Sequence, residues 1–561
     1  MSATTGIQGA DENRRLIDLE ISQHEKCIQE LKTRRNTFAP ISCLPPEVLC
    51  RVFLLVRDTS SALAWNPVTW IKVTHTSRYW RNVALNSPSL WTLLPLENPW
   101  WTREMLKRSK MASLIVKANV LNRSNSSAVN TKVALSHISR IKELSLNSPE
   151  AEGTLQNILS TLPRAAAQLE VLRISTRVRY YSSIFYIPGD ALRETPSLRQ
   201  LELYSCDFRW DSQFLSGLTH LTLHSVPSNA QPTLTQLLEV LRSSPGLQLL
   251  DLKNCFPKDG LSSPRAQTPM YLQHLRSLAL DGTLTELEPL LMNCSIQATS
   301  KIQISCIDTS DVGADFFPLV SAVRSLRHEN SSNSLPFTHY VDLTIPASNS
   351  VRLAFSSHDA PELAFPLYHT SIDFTWRADG TASNLDANLR HICYVHPLDD
   401  VAVLSCYTPS VLSPQTILDV FGSLPRLQRI YPSSRAALPF LQAMTMTPSP
   451  GLTTGEPPTI AFPALRNIIL NDVNFTVDGG IDVDWMRNQL LERYERGSEV
   501  RELCFRNCSR LRADDIELLG EFVTDVDWDG HEQGFSEDEE DEVYDDGMYF
   551  GSGLFYSIQT A

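Results

Sequence analysis

The best-spaced set of metal-ligand side chains in the chain is His391-x-Cys393-x-x-His396, with Cys406 ten residues further on. Imidazole and thiolate are ligands that zinc takes. The spacing fits no common closed zinc site, however. His391 and Cys393, two positions apart, read as a pair on one side of a strand. No metal is therefore expected. Cys504-x-x-x-Cys508 is weaker still, with one thiol on a strand and the other in the turn after it. The acid pair Asp399-Asp400 has no basic or histidine partner at a telling spacing, and reads as a solvated turn. The chain has no Gly-rich loop ending in Lys-Ser/Thr, no His-Glu-x-x-His and no Gly-x-Ser-x-Gly. No catalytic residue and no cofactor follow, so the residues point to a protein that binds rather than transforms.

Composition narrows the partners. The 561 residues are 42% hydrophobic and 20% charged, enough apolar material for a sizeable core. The eleven cysteines have no repeated spacing. In a reducing compartment they serve as small buried hydrophobes. The net charge of −14 is local: Asp525 to Ala561 holds twelve Asp or Glu and no Lys or Arg, and the rest carries only −2. A nearly neutral body lacks the basic footprint of a nucleic-acid binder. No run approaches the roughly 18 apolar residues of a membrane span, and no signal pattern opens the chain. The expectation is a cytoplasmic or nuclear protein, in which the Asn-x-Ser/Thr sequences at Asn122, Asn125 and Asn330 carry no glycans. Ser536, ahead of an acidic run, would suit an acid-directed kinase.

Residues 1–11 are small and polar and read as disordered. Leu16 to Phe38 reads as a helix in which Ile17, Ile21, His24, Ile28 and Leu31 recur at 4-3-4-3 spacing. Two heptads are short for a coiled coil. Packing on the module that follows it or on the next domain is the expected use of that stripe, with self-association, or a helix only marginally stable by itself, as the alternatives.

The stretch from Ile41 to Trp91 organises the chain. Pro45-Pro46 can only open a helix, where the missing N–H groups have no partner anyway. Glu47 puts a negative charge at its positive end. Val48, Leu49, Val52, Phe53 and Val56 recur at helical spacing, with Leu54 and Leu55 off that face. A helix apolar nearly all round must be covered on more than one side. About fifty residues cannot do that alone, so one side should meet a partner. Trp70 to Leu85 reads as a second helix packing through Val73, Trp80, Val83 and Ala84, closed by Ser89-Leu90-Trp91.

Leu44-Pro45-Pro46-Glu47-Val48-Leu49, then Val52-Phe53, Ser77-Arg78-x-Trp80-Arg81 and Ser89-Leu90-Trp91 together resemble the F-box family. The departures are a long polar linker from Arg57 to Thr69, and Thr76 where valine is common. The resemblance implies a three-helix hook that binds a Skp-family adaptor and through it a cullin. It implies that Leu44, Pro45, Pro46, Glu47, Leu49, Val52 and Phe53 lie at or near the adaptor. Trp80 and Trp91 would hold the hook together.

After Trp91 the chain changes character. Pro99-Trp100-Trp101 suggests a turn, and Ser113 to Lys117 a buried strand. A phrase Leu-x-x-Leu-x-Leu then recurs, with middle residues Leu144, Leu172, Leu201, Leu221, Leu250 and Leu278 spaced by 28, 29, 20, 29 and 28. This is the period of leucine-rich repeats. Helical segments such as Gly153–Leu159 and Leu234–Leu241 lie between the phrases. Residues 290–415 read as divergent repeats, with a β-rich insertion as the alternative; the phrase returns at Leu427, Leu465 and Val500. Met444 to Pro458 reads as an exposed loop.

The fold expected is α/β: an all-α hook followed by a curved solenoid with a parallel sheet on its concave face. The boundaries are 1–39, 40–95, 96–523 and an acidic disordered tail, 524–561. Outward residues between the leucines are Ser145, Arg173, Glu202, Thr222, Asp251 and Ala279. Arg173, Glu202, Tyr204, Asp251 and Lys253 are the candidates for holding a protein substrate. With the resemblance, this describes the non-enzymatic, substrate-recruiting subunit of a ubiquitin ligase. An interaction scaffold outside any ligase is the alternative.

Overall fold

The computed structural model describes residues 4–63, 68–120, 125–148, 153–176, 185–256, 269–308, 315–327, 338–358, 368–377, 383–410, 412–447, 460–475 and 481–532. Ser536 and most of the 444–458 segment lie outside these residues. The chain is mixed α/β, with a helical N-terminal region followed by mostly parallel strands. It divides into two units, residues 1–311, 315–336 and 369–375 in the first, and 312–314, 337–368 and 376–561 in the second.

The first unit opens with α1 (Thr4–Thr37). Helix thus begins well before Leu16, and the expected disorder of 1–11 gives way to helical backbone from Thr4. α2 (Pro46–Leu63) starts where the proline pair requires, with Leu49 N–H donating to Pro45 O at 3.0 Å. It runs through most of the expected linker. Trp70 to Leu85 is not one helix. A 3-10 segment, Thr69–His75, is followed by α3 (Arg78–Leu85). Ser77 is extended, and its side chain accepts from Trp80 N–H at 3.2 Å. A serine oxygen that caps a helix this way ends the preceding turn. Pro99-Trp100 likewise begins α4 (Pro99–Arg108) rather than a turn, because the Asn98 side chain accepts from both Trp100 and Trp101 N–H.

The strands follow as β1 (Leu114–Asn119), β2 (Ile141–Ser148), β3 (Val171–Thr176), β4 (Gln200–Tyr204), β5 (His220–His224), β6 (Leu249–Lys253), β7 (Ser277–Thr283) and β8 (Lys301–Asp308), adjacent in that order and parallel. The leucines of the recurring phrase meet in register. Leu144, Leu172, Leu201, Leu221, Leu250, Leu278 and Ile302 form one row, and Leu146, Ile174, Leu203, Leu223, Leu252, Leu280 and Ile304 the next. All are buried. Side chains alternate along a strand, so two leucines two apart line one face. Helices such as α5 (Asn125–Leu135), α6 (Gly153–Leu159) and α7 (Leu234–Arg242) fall between strands in the chain. α7 buries Leu234, Leu237, Leu238 and Leu241, and is capped by Thr233 and Gln236.

A local device ends several strands. Ser205, Ser225 and Asn254 have φ of 55°, 54° and 49°. Serine and asparagine tolerate this left-handed region better than larger side chains do. Each N–H then donates to the next strand, at His224 O, Lys253 O and Asp281 O. The residue that follows (Cys206, Val226, Cys255) turns into the core. Burial pushes both thiols up, Cys206 to about 12, which makes them packing residues. Thr222 departs from expectation: it is buried although it alternates with the leucines. After α8 (Leu284–Met292) and α9 (Phe317–Leu326), a later strand lies beside β8.

In the second unit β9 (Tyr340–Ala347) and β10 (Ser350–Ser356) form an antiparallel hairpin. A short link permits only that pairing, since a parallel crossover needs a dozen or more residues. The strand beside β8 is β11 (Thr370–Trp376), which belongs to the first unit except for its last residue. From β9 the parallel order resumes through β12 (Val403–Thr408), β13 (Arg429–Ser434), β14 (Asn467–Asn471), β15 (Glu502–Arg506) and β16 (Asp525–Trp528). Residues 290–415 thus contain both parallel strands and a hairpin. The expected start of the acidic tail falls one residue before β16, where Val526 pairs with Leu503. α10 (Ser383–Ile392), α11 (Pro414–Phe421), α12 (Ala437–Ala443), α13 (Val483–Glu495) and α14 (Ala513–Gly520) complete this unit. Met444, expected in an exposed loop, is buried.

Candidate functional site

The expected adaptor residues divide between the inside and the outside of the hook. Leu49 and Phe53 are fully buried, and Phe53 lies 5.1 Å from the half-buried Trp80. Neither presents surface to a partner, so their part is to set the helix in place. Leu44 is half-buried, and its carbonyl accepts from Tyr79 Oη at 2.9 Å. Pro45, Pro46, Glu47 and Val52 are exposed. The outer face of α2 carries Val48, Val52, Leu55 and Val56, between 36% and 64% exposed. Their spacing of 4-3-1 makes one apolar stripe. Leu55, expected off the face, is its most exposed member. Trp91 is fully buried, 5.1 Å from Trp70 and with its Nε1–H donating to Ala84 O at 2.8 Å.

Arg57 is the residue that sequence reasoning misread. It is buried, not the start of a linker. It donates to Ser89 O at 2.8 Å and Thr92 Oγ1 at 3.1 Å, and pairs with Asp58 at 2.8 Å. The signal was its place four residues after Phe53 and eight after Leu49, on the buried stripe. Arg57→Ala is expected to cost about 2–3 kcal/mol, since it removes hydrogen bonds from a charged donor, although Ser89 O keeps its bond from Thr92 Oγ1 at 2.9 Å. Urea unfolding of the hook, followed by hydrogen exchange across 46–92, checks this.

The second surface is the polar face of β1 to β7. Arg173 lies between two carboxylates, Glu143 and Glu202, at 2.7 Å each, and Lys117 reaches Glu143 at 3.3 Å. Burial alone would lower the Arg173 pKa, but Glu202 and Glu143 outweigh it and raise it. Tyr204 stands edge-on to His224, with centroids 4.7 Å apart. Its pKa is pushed up to about 12 by burial, with Glu202 and Asp251 adding. His224 Nε2 is 2.9 Å from Asp251 Oδ1, and Lys253 pairs with Asp281 at 2.5 Å. The structure therefore brings Arg173, Glu202, Tyr204, Asp251 and Lys253 onto one face. Charges of both signs lie along it, so the face favours no single sign of ligand. Burial, partly countered by Glu202, lowers the pKa of the neighbouring His220. Hydrogen bonding to a polar partner is what this arrangement can do.

The histidine and cysteine set of the second unit does not form a ligand cluster. His391 ends α10 and is exposed, whereas Cys393 lies in a 3-10 turn and is buried, so the strand-like pairing expected of them is replaced by a helix end. His396 is buried, stacked on Phe355 and 3.2 Å from Thr338 Oγ1. Burial raises the pKa of the Cys393 and Cys406 thiols. Among the described residues, no group of three or more His, Cys, Asp or Glu could hold a metal ion, and no helix is long and apolar enough to cross a membrane. No protein-family model matches the chain, and no curated protein matches it.

Proposed function

We propose that this chain is a non-enzymatic substrate-recruiting subunit, with an F-box hook that docks on a Skp-family adaptor of a cullin ubiquitin ligase. The strands of each unit read as leucine-rich-repeat arrays, and the polar face of the first holds a protein substrate. The observation that carries the proposal is the apolar stripe of Val48, Val52, Leu55 and Val56, left uncovered after the hook has buried Leu49, Phe53 and Trp91. Fully burying such a side chain contributes about 1.5–3 kcal/mol, and a preordered helix offers several at once. The leucine rows in register support the repeat reading. Holding a substrate near a charged ubiquitin carrier accelerates transfer by proximity.

The test is Val52→Asp with Leu55→Asp. Both side chains are exposed, so the hook should keep its fold and its hydrogen-exchange protection. Loss of about 3 kcal/mol or more lowers adaptor affinity at least 100-fold and abolishes pull-down. Unchanged pull-down rejects the adaptor reading. An adaptor complex that never contains a cullin would leave a scaffold outside any ligase.

A further inference from the structure

We propose that α1 pairs with α1 of a second copy of this chain as an antiparallel two-helix coiled coil. The proposal is independent of the adaptor reading. Ile17, Ile21, Ile28 and Leu31 keep a 4-3 spacing and are between 49% and 61% exposed. Expected to pack on the hook or on the next domain, they remain exposed. α1 reaches its own hook through Thr33, Asn36 and Thr37, which border a cavity with Ser42, Ser77 and Tyr79. With Ile21 and Ile28 at a and Ile17, His24 and Leu31 at d, those three residues fall at f, b and c. The side facing the hook is thus the one opposite the seam.

Charge selects the occupant and its direction. In a parallel pair, g and e positions of the two helices meet. Glu20 would then face Glu25 of the second copy twice, no opposite pair would compensate, and His24 would face His24. In an antiparallel pair e meets e and g meets g. Aligning Ile21 with Leu31 of the second copy, and His24 with Ile28, puts Asp18 opposite Lys32 and Glu20 opposite Arg34. Symmetry repeats each pair, giving four attractions against one Glu25–Glu25 contact. The same register sets Cys27, which is exposed, opposite Cys27 beside the two-fold axis. A parallel pair would hold those two thiols on opposite flanks.

The full chain, with Cys43→Ser to remove the other exposed thiol, is examined by sedimentation equilibrium and mild oxidation. The expected result is a concentration-dependent dimer and a disulfide-linked dimer that Cys27→Ser abolishes while the non-covalent dimer persists. Asp18→Lys with Glu20→Lys should weaken dimerisation at least tenfold, and adding Lys32→Asp with Arg34→Glu should restore it. Circular dichroism and thermal unfolding serve as controls that the chain remains folded. A monomer at tens of micromolar overturns the proposal, as does a dimer without a Cys27 link or without charge-swap rescue.

Discussion

Arg493→Met should cost the second unit about 3–5 kcal/mol, the largest loss expected from any single substitution in it. Arg493 is 0% exposed on α13. Its guanidinium donates to four backbone carbonyls: Ser498 O at 3.2 Å, Met444 O at 2.6 Å, Ala461 O at 2.7 Å and Phe462 O at 2.9 Å. Methionine has similar bulk but leaves Ser498 O, Met444 O and Ala461 O without that donor, while Phe462 O keeps the Leu465 N–H at 3.1 Å. The desolvation cost of the lost charge offsets part of the penalty, which keeps it below a simple sum of four bonds. At roughly 2–4 °C per kcal/mol, thermal unfolding should shift down by about 10 °C. Arg493→Lys should recover little, because one ammonium cannot span acceptors arranged for a planar fork. Burial, with Arg466 adding, lowers the Arg493 pKa to about 10. The unfolded chain therefore holds this proton more tightly than the folded one. The corresponding pH dependence lies above about 10, with stability rising with pH there, and is absent between pH 6 and 9. A midpoint unchanged in the methionine variant would refute the clamp.

Trp91→Ala should unfold the hook or weaken it by about 3–5 kcal/mol, the usual cost of deleting a buried aromatic ring. The ring is tilted against Trp70, its N–H is satisfied by Ala84 O, and the Arg108 guanidinium lies 4.3 Å above it. Loss of all three contacts at a site with 0% exposure leaves a cavity that α2 and α3 cannot collapse into without moving. Trp80→Ala should cost less, since that ring is only half-buried. Hydrogen exchange across residues 46–92, with the later strands as internal control, reads both. Equal protection in the Trp91 variant and the parent chain would show that the hook does not depend on this ring.

Arg57 and Arg493 each extend an apolar stripe. Arg57 follows Leu49 and Phe53 at four-residue steps, and Arg493 follows Val483, Met486 and Leu490 at helical spacing. Read from sequence, a charge on such a stripe ends it, because an unpaired buried charge is prohibitive. Only a folded neighbourhood supplies the carbonyls that make burial tolerable. The same limit affected α2. The helix was legible from its prolines and spacing, but which of its apolar residues face inward was not. Leu49 and Phe53 went to the core, while Leu55 stayed outside. The alternating phrase was read more securely, since a two-residue period assigns each leucine to one face and a one-residue slip would expose the whole row.

The sequence by itself determined the leucine rows, the spacing of their parallel strands, the helix start at Pro46 and the nearly neutral body. These follow from local rules: a strand alternates, proline lacks a donor, and charge is a count. The tertiary structure decided what was non-local. It made β9 and β10 a hairpin, carried the ordered strands through β16, and paired opposite charges such as Lys117 with Glu143, Arg173 with Glu202 and Lys253 with Asp281 from strands far apart in the chain. It also left the α2 stripe and the α1 residues Ile17, Ile21, Ile28 and Leu31 exposed. Each of these outcomes depends on which distant groups arrive beside a side chain, and residue spacing carries no record of that.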